Sequence, residues 1–70
     1  MRIATFNCNS VRSRLDTVLG WLADYAPDVL CLQETKVQDA EFPADAFRLA
    51  GWQVAFQGEK SYNGVALVSK

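Results

Sequence analysis

Apolar residues fall into short runs at two places in the first half of the chain, separated by a stretch with helical spacing. Residues 2–6 (Arg-Ile-Ala-Thr-Phe) predict a short strand, and the turn-forming cluster 7–10 (Asn-Cys-Asn-Ser) follows it. Apolar positions then recur every three or four residues over 11–26, which predicts an amphipathic helix ended by Pro27. The unbroken run 29–32 (Val-Leu-Cys-Leu) predicts a strand buried on both faces, as in a parallel sheet.

An acidic connection and a short helix are predicted next. Residues 38–41 (Gln-Asp-Ala-Glu) are most simply a solvated link. A Phe-Pro pair then precedes the segment 44–50, which favours a helix with Phe47 and Leu49 as its apolar contacts. Gly51 follows directly and is typical of a residue that ends a helix.

The last part of the sequence predicts a β-hairpin. Residues 52–57 alternate enough to form a strand, and 65–68 (Val-Ala-Leu-Val) predict another. The connection between them begins with Gly58 and closes on an Asn-Gly pair, which is typical of a hairpin loop. The whole pattern therefore predicts an α/β protein: a β-α-β unit followed by a short helix and a β-hairpin.

The predicted topology brings two polar side chains together. A strand, a helix and a strand in succession form a crossover between parallel neighbours, so both strands end at the same edge of the sheet. Asn7 and Glu34 stand at those two ends. Neighbouring strands lie ~4.8 Å apart, close enough for one divalent ion or one ordered water to contact both side chains. Taken singly, Asn7 is best interpreted as a turn residue and Glu34 as a solvated loop carboxylate. Together, at the edge where α/β proteins bind ligands, they indicate a functional site.

Composition and charge exclude several classes of protein. Seventy residues make one domain at most, and the net charge of −1 does not fit an autonomous basic nucleic-acid module. Cys8 and Cys31 lie in apolar surroundings, and the sequence has no histidine, so buried thiols in a reducing compartment are favoured over a disulfide or a zinc site. No apolar run approaches membrane-spanning length, and no signal-like segment opens the sequence, so we expect a cytoplasmic protein without membrane contact.

Three segments resemble the exodeoxyribonuclease III family, the bacterial abasic-site endonucleases within the wider endonuclease/exonuclease/phosphatase superfamily. These segments are 3–7 (Ile-Ala-Thr-Phe-Asn), 27–36 (Pro-Asp-Val-Leu-Cys-Leu-Gln-Glu-Thr-Lys) and 62–67 (Tyr-Asn-Gly-Val-Ala-Leu). The resemblance implies that residues 1–70 are the amino-terminal, incomplete part of one metal-dependent nuclease domain. It also implies the family's fold, an α/β sandwich of two facing sheets flanked by helices.

The resemblance implies a role for each polar residue at the predicted edge. Glu34 would bind a catalytic Mg²⁺ or Mn²⁺, Asn7 would adjoin both this metal and the scissile phosphate, and Gln33 would order the site from behind. The residues that would contact DNA or support the site beside it are Asn9, Arg12, Lys36, Tyr62, Asn63 and Gly64. The alternatives are ordinary surface charges for Arg12 and Lys36, and an aromatic covering the sheet edge for Tyr62.

The activity implied by the resemblance is metal-dependent hydrolysis of phosphodiester bonds at abasic sites and 3′ termini of double-stranded DNA, by a monomer. Two alternatives stay open: another phosphodiesterase or phosphatase of the superfamily, acting on lipid or inositol phosphates, and a truncated fragment without catalytic activity. The loop 60–64 favours DNA as the substrate. Because the sequence has no histidine and offers one carboxylate at the edge, we expect the 70 residues alone to be inactive.

Overall fold

A computed structural model of the chain describes residues 1–58 and 63–70. The elements in chain order are β1 (Ile3–Asn7), α1 (Val11–Tyr25), β2 (Val29–Gln33), a 3-10 turn (Asp39–Glu41), α2 (Ala44–Leu49), β3 (Gln53–Gln57) and β4 (Val65–Ser69). The predicted β-α-β unit, the short helix and the pairing of the last two strands are confirmed, and each predicted boundary lies within one residue of the observed one. Most of the predicted hairpin loop, residues 59–62, lies outside the described residues.

The described strands form one mixed sheet in the order β1-β2-β4-β3. Strands β1 and β2 are parallel, with Asn7 opposite Gln33, so the predicted pairing of parallel neighbours is confirmed. Strand β4 runs antiparallel to both β2 and β3, and Val65 at its start lies opposite Gln33 and Gln57. The loop after β1, the loop after β2 and the start of β4 therefore meet at one edge of the sheet.

Helix α1 begins and ends at defined caps. Ser10 is the N-cap, and its hydroxyl accepts a hydrogen bond of 3.3 Å from the Ser13 amide. Ala26 ends the helix in the left-handed conformation, with φ 43°, and donates its amide to the Leu22 carbonyl at 2.9 Å. None of the helices in the described residues has the length and apolarity that crossing a bilayer requires.

The core lies on one face of the sheet, beneath both helices. Its buried members are Cys8, Val11, Val18, Leu22, Leu30, Leu32, Val37, Phe42, Ala44, Phe47, Ala66 and Val68. Phe42 stacks on Phe56 with ring centroids 4.3 Å apart, and burial of Phe47 stabilises the fold by about 1.5–3 kcal/mol. The prediction that Leu49 packs inward is wrong, because Leu49 is 90% exposed. It stands two residues after Phe47, and therefore about 200° around the helix axis, on the outer side.

The opposite face of the sheet is open in the described residues. Leu30 and Leu32 are buried, but the alternate positions of β2 are only partly buried, so the prediction of a strand buried on both faces is wrong. On the same open side of β4, Val65 and Leu67 are about half exposed. The cause is that α1 and α2 both pack on the other face.

Candidate active site

Asn7 and Glu34 contact each other at the edge where β1 and β2 end. The parallel register puts Asn7 opposite Gln33, so Glu34 is the next residue beyond the pair. The Asn7 amide Nδ2 donates a hydrogen bond to Glu34 Oε2. The meeting of these two side chains, predicted from topology alone, is confirmed.

Backbone hydrogen bonds hold the loop that carries Glu34 against the loop that follows β1. Amides of the loop that follows β1 donate to successive carbonyl groups at the end of β2 and in the loop after it. The bonds run from Cys8 to Gln33 at 3.0 Å, from Ser10 to Glu34 at 2.9 Å and from Val11 to Thr35 at 3.0 Å. Glu34 and Lys36 have φ values of 54° and 58°, a left-handed backbone conformation that residues other than glycine rarely adopt. The surrounding bonds fix this conformation, and strain held in this way is common at functional sites.

The start of β4 holds the same loop from the other side. The Thr35 amide donates to the Gly64 carbonyl at 3.2 Å, and the Lys36 amide donates to the Asn63 carbonyl at 2.9 Å. A surface depression of about 410 Å³ lies here, lined by Gln33, Glu34, Gln57, Asn63, Gly64 and Val65. Glu34 therefore lies between the β1–α1 loop and the residues that lead into β4.

Lys36 and Asn9 extend the polar contacts around the carboxylate. Lys36 Nζ donates to Asn9 Oδ1 and lies 4.0 Å from Glu34 Oε1. The Glu34 side chain is 41% exposed, so solvent screens this ion pair and its contribution to stability is about 0–1 kcal/mol. We call the four residues Asn7, Asn9, Glu34 and Lys36 the edge cluster. It combines a carboxylate, two amides and an ammonium group, which is suitable for a metal cation and a phosphate side by side.

Cys8 connects the same two loops through its side chain. The thiol Sγ lies 3.3 Å from the Gln33 carbonyl oxygen and 3.6 Å from that of Glu34, and it donates to both. Burial raises the pKa of the Cys8 thiol, which keeps it protonated and able to donate. The predicted buried thiol is confirmed at Cys8, whereas Cys31 is only partly buried. The apolar setting of Cys8 in the sequence gave no sign of this contact with the loop that carries Glu34.

The remaining predicted site residues make contacts of their own outside the edge cluster. Arg12, in the first turn of α1, pairs with Glu41 at 3.2 Å, and both side chains are more than half exposed. The Gln33 side chain donates to the Cys31 carbonyl at 3.5 Å. Tyr62 lies outside the described residues. The structure thus joins Asn7, Asn9, Glu34 and Lys36 directly, and it joins Asn63 and Gly64 to them through the backbone.

The acidic link takes part in contacts that the sequence did not predict. Besides the pairing of Glu41 with Arg12, the Asp39 carboxylate accepts a hydrogen bond of 2.5 Å from the Gly58 amide. A second depression, lined by Ser10, Arg12, Ser13, Lys36, Val37 and Glu41, lies beside the edge cluster. Residues 38–41 are therefore anchored to the start of α1 and to the end of β3, rather than merely solvated.

The donor atoms at this edge fit a hard divalent cation in part. Mg²⁺ prefers oxygen ligands, often uses only one or two carboxylates and retains several waters. Glu34 supplies one carboxylate, and Asn7, which orients it, supplies an amide oxygen. Within residues 1–58 and 63–70, no group of three or more histidine, cysteine, aspartate or glutamate side chains could hold a metal. Among the described residues, the edge cluster can therefore supply only part of the ligand set of such a cation.

The fold and the edge cluster define the class of protein. A model of the endonuclease/exonuclease/phosphatase family matches residues 4–70, and the chain belongs to this family. The β-α-β unit with a strand-end Asn and Glu is thus part of a fold that related nucleases share.

Three named proteins are similar to this chain along all or nearly all of its length. An exodeoxyribonuclease III from Haemophilus influenzae is 39% identical over the whole chain, which covers 26% of that protein. An AP endonuclease from Archaeoglobus fulgidus is 52% identical, with a TM-score of 0.95 over 99% of this chain and 27% of its own. A 3′ phosphatase, NExo, from Neisseria, solved with a product DNA hairpin, has a TM-score of 0.95 at 49% identity, over 99% of this chain and 27% of its own. The resemblance to exodeoxyribonuclease III is confirmed, and the chain spans about a quarter of the length of these relatives.

Proposed function

We propose that this chain is the amino-terminal part of a DNA-repair nuclease of the exodeoxyribonuclease III type. Its substrate would be double-stranded DNA with abasic sites or 3′ termini, and its reaction would be Mg²⁺- or Mn²⁺-dependent hydrolysis of a phosphodiester bond. The observation that carries this proposal is the contact between Asn7 and Glu34 at the edge where β1 and β2 end. The similarity to nucleases along the whole chain supports it. We further propose that the protein acts as a monomer in the cytoplasm.

Each member of the edge cluster has a part in this proposal. A divalent cation, when bound, would polarise a phosphoryl oxygen and stabilise the leaving 3′-oxygen. Glu34 would hold the cation, and the hydrogen bond from Asn7 would keep the carboxylate turned toward it. The Lys36 ammonium group, which donates a hydrogen bond to Asn9, would contact the scissile phosphate. Gln33, beside Glu34, would keep the end of β2 in place.

The DNA backbone would run along the sheet edge on either side of the cluster. On one side lies Arg12, whose guanidinium group is exposed at the start of α1. On the other side lie Asn63 and Gly64, next to the depression that Glu34 lines, with Tyr62 preceding them in the sequence. Phosphate contacts of this kind position a nucleic acid without reading its sequence.

We propose that the chemistry is completed by residues beyond these 70. A base or a second acidic group must orient the attacking water, and the sequence contains no histidine. The chain also covers only about a quarter of the length of the relatives it matches. The 70-residue polypeptide alone is therefore expected to form the incomplete domain and to have no nuclease activity. Measurable Mg²⁺-dependent nicking by the purified 70-residue chain would contradict this part of the proposal.

The role of Glu34 is tested by Glu34→Gln in the protein expressed from its full reading frame. Removal of the carboxylate charge should lower the rate of nicking of abasic duplex DNA at least about 100-fold, because the metal would lose its ligand. Asp24→Asn makes the same chemical change at an exposed position of α1 and should leave the rate unchanged. If Glu34→Gln nicks abasic DNA as fast as the parent and with the same metal dependence, Glu34 does not have the proposed role.

A second candidate function is removal of a 3′ phosphate, favoured by the 49% identity to the Neisseria 3′ phosphatase. The same cation and carboxylate could serve either ester, so the edge cluster does not distinguish them. The discriminating measurement compares an abasic duplex, a hairpin with a 3′ phosphate and a small phosphodiester at equal enzyme concentration. Faster cleavage of the abasic duplex supports the nuclease, and faster phosphate release supports the phosphatase. A preference for the small phosphodiester would favour the other enzymes of the superfamily.

A further inference from the structure

Gly64 lies directly against Thr35, with no space for a side chain. Gly64 has a φ of 110°, and a Cβ atom there would overlap Thr35 Oγ1 and lie 3.4 Å from the Lys36 amide nitrogen. Thr35 is fully buried and has little freedom to move aside. Gly51 has a similar φ of 94°, but a Cβ there would meet nothing within 4 Å among the described residues. The two glycines thus share a backbone requirement and differ in their surroundings.

This close approach permits two backbone hydrogen bonds between the Glu34 loop and the residues that lead into β4. They join the Thr35 amide to the Gly64 carbonyl and the Lys36 amide to the Asn63 carbonyl, at 3.2 and 2.9 Å. The first is already near the upper limit of hydrogen-bond length, so a displacement of β4 by about 0.5 Å or more would break it. The shorter bond from the Lys36 amide to the Asn63 carbonyl would then have to hold this side of the Glu34 loop without the bond from Thr35.

We propose that Gly64 is a positioning residue for Glu34. The absence of a side chain at Gly64 lets the start of β4 pack against Thr35, which fixes the left-handed loop that carries Glu34 and keeps the carboxylate beside Asn7. The catalytic consequence rests on the proposed function, whereas the structural consequence does not. This role differs from direct contact with DNA, because it acts through Thr35 and can be reversed there.

The test uses Gly64→Ala, Gly51→Ala, Thr35→Ala and the double variant Gly64→Ala/Thr35→Ala, each expressed from the full reading frame. Hydrogen exchange of individual amides is measured by NMR, and Mn²⁺ affinity and nicking of abasic DNA are measured on the same samples. Gly64→Ala should speed exchange at the Thr35 and Lys36 amides by on the order of tenfold, and weaken Mn²⁺ binding, whereas Gly51→Ala should do neither.

Thr35→Ala removes the hydroxyl that the new Cβ would overlap, and the Thr35 Cβ would remain at an ordinary 3.4 Å. The double variant should therefore recover slow exchange and Mn²⁺ affinity to the level of Thr35→Ala alone. The proposal is overturned if Gly64→Ala and Gly51→Ala behave alike, if the double variant is no better than Gly64→Ala, or if neither variant at Gly64 folds. If exchange behaves as expected but the parent protein shows no metal-dependent nicking, the proposed function fails and the positioning role remains.

Discussion

Thr35 buries a hydroxyl group for which the described residues offer no hydrogen-bond partner. The side chain is fully buried, and Oγ1 faces Gly64. An unpaired buried hydroxyl costs about 1–3 kcal/mol. Thr35→Val removes this cost and keeps the branched shape of the side chain, and crowding of the slightly larger methyl group beside Gly64 should offset only part of the gain. The variant is therefore expected to be more stable by about 1 kcal/mol.

The free energy of unfolding is measured by urea titration, followed by the fluorescence of Trp21 and Trp52. For the protein expressed from its full reading frame, an m-value of about 3 kcal/mol/M is expected, so a gain of about 1 kcal/mol moves the midpoint upward by about 0.3 M. Thr17→Val makes the same substitution at an exposed position of α1 and should change stability by less than about 0.5 kcal/mol. Thr35→Ser keeps the hydroxyl and loses the methyl group, so it should lower stability by about 1 kcal/mol.

A loss of stability in Thr35→Val would refute this reasoning. It would mean that Oγ1 donates to or accepts from a group of the protein beyond residues 1–58 and 63–70, so that the hydroxyl is satisfied. The Thr35→Ser variant would then be the more stable of the two, and the order of the two variants alone decides the question. That result would also make Thr35 a polar contact of the loop rather than a steric one.

Three further predictions concern the polar residues around the site. Asn7→Ala and Glu34→Gln should each weaken Mn²⁺ binding, measured by electron paramagnetic resonance, and their effects should be non-additive by about 0.5–3 kcal/mol because the side chains are hydrogen-bonded. Arg12→Gln should lower affinity for duplex DNA and reduce the slope of log K against log salt by about one, with stability changed by less than about 1 kcal/mol. Burial raises the pKa of the Cys8 thiol above its ordinary 9.0, so the unfolded chain loses this proton first, and stability should fall as the pH rises above about 9, less steeply in Cys8→Val.

The sequence pattern predicts the elements and the central pair of side chains, because both follow from short-range order and one topological rule. An apolar run, an amphipathic helix and a second apolar run leave few arrangements, and the commonest of them, with the two strands as parallel neighbours, brings Asn7 near Glu34. The left-handed conformations of Glu34 and Lys36 could not be predicted in this way. They depend on hydrogen bonds from residues distant in sequence, and glutamate and lysine carry no signal for positive φ.

The ion pair of Arg12 with Glu41 was missed for a related reason. The acidic link has no periodicity, and its partners are set by where the start of α1 and the end of β3 come to lie. The error at Leu49 has a different origin. A helix as short as Ala44–Leu49 spans less than two turns, so the spacing of its apolar residues does not determine which side faces the core.

The open face of the sheet and the single carboxylate of the edge cluster lead to the same proposal by separate routes. Val65 and Leu67 leave apolar surface exposed on the side opposite the helices, and such a patch marks a surface that another layer or partner can cover. Gln33, Glu34 and Val65 line one depression at the rim of that face, so a second layer packed there would bring its own side chains beside Glu34. The apolar surface that is open in the described residues thus adjoins the proposed metal site. One further sheet, as the resemblance predicts, would cover this surface and supply further ligands to that site.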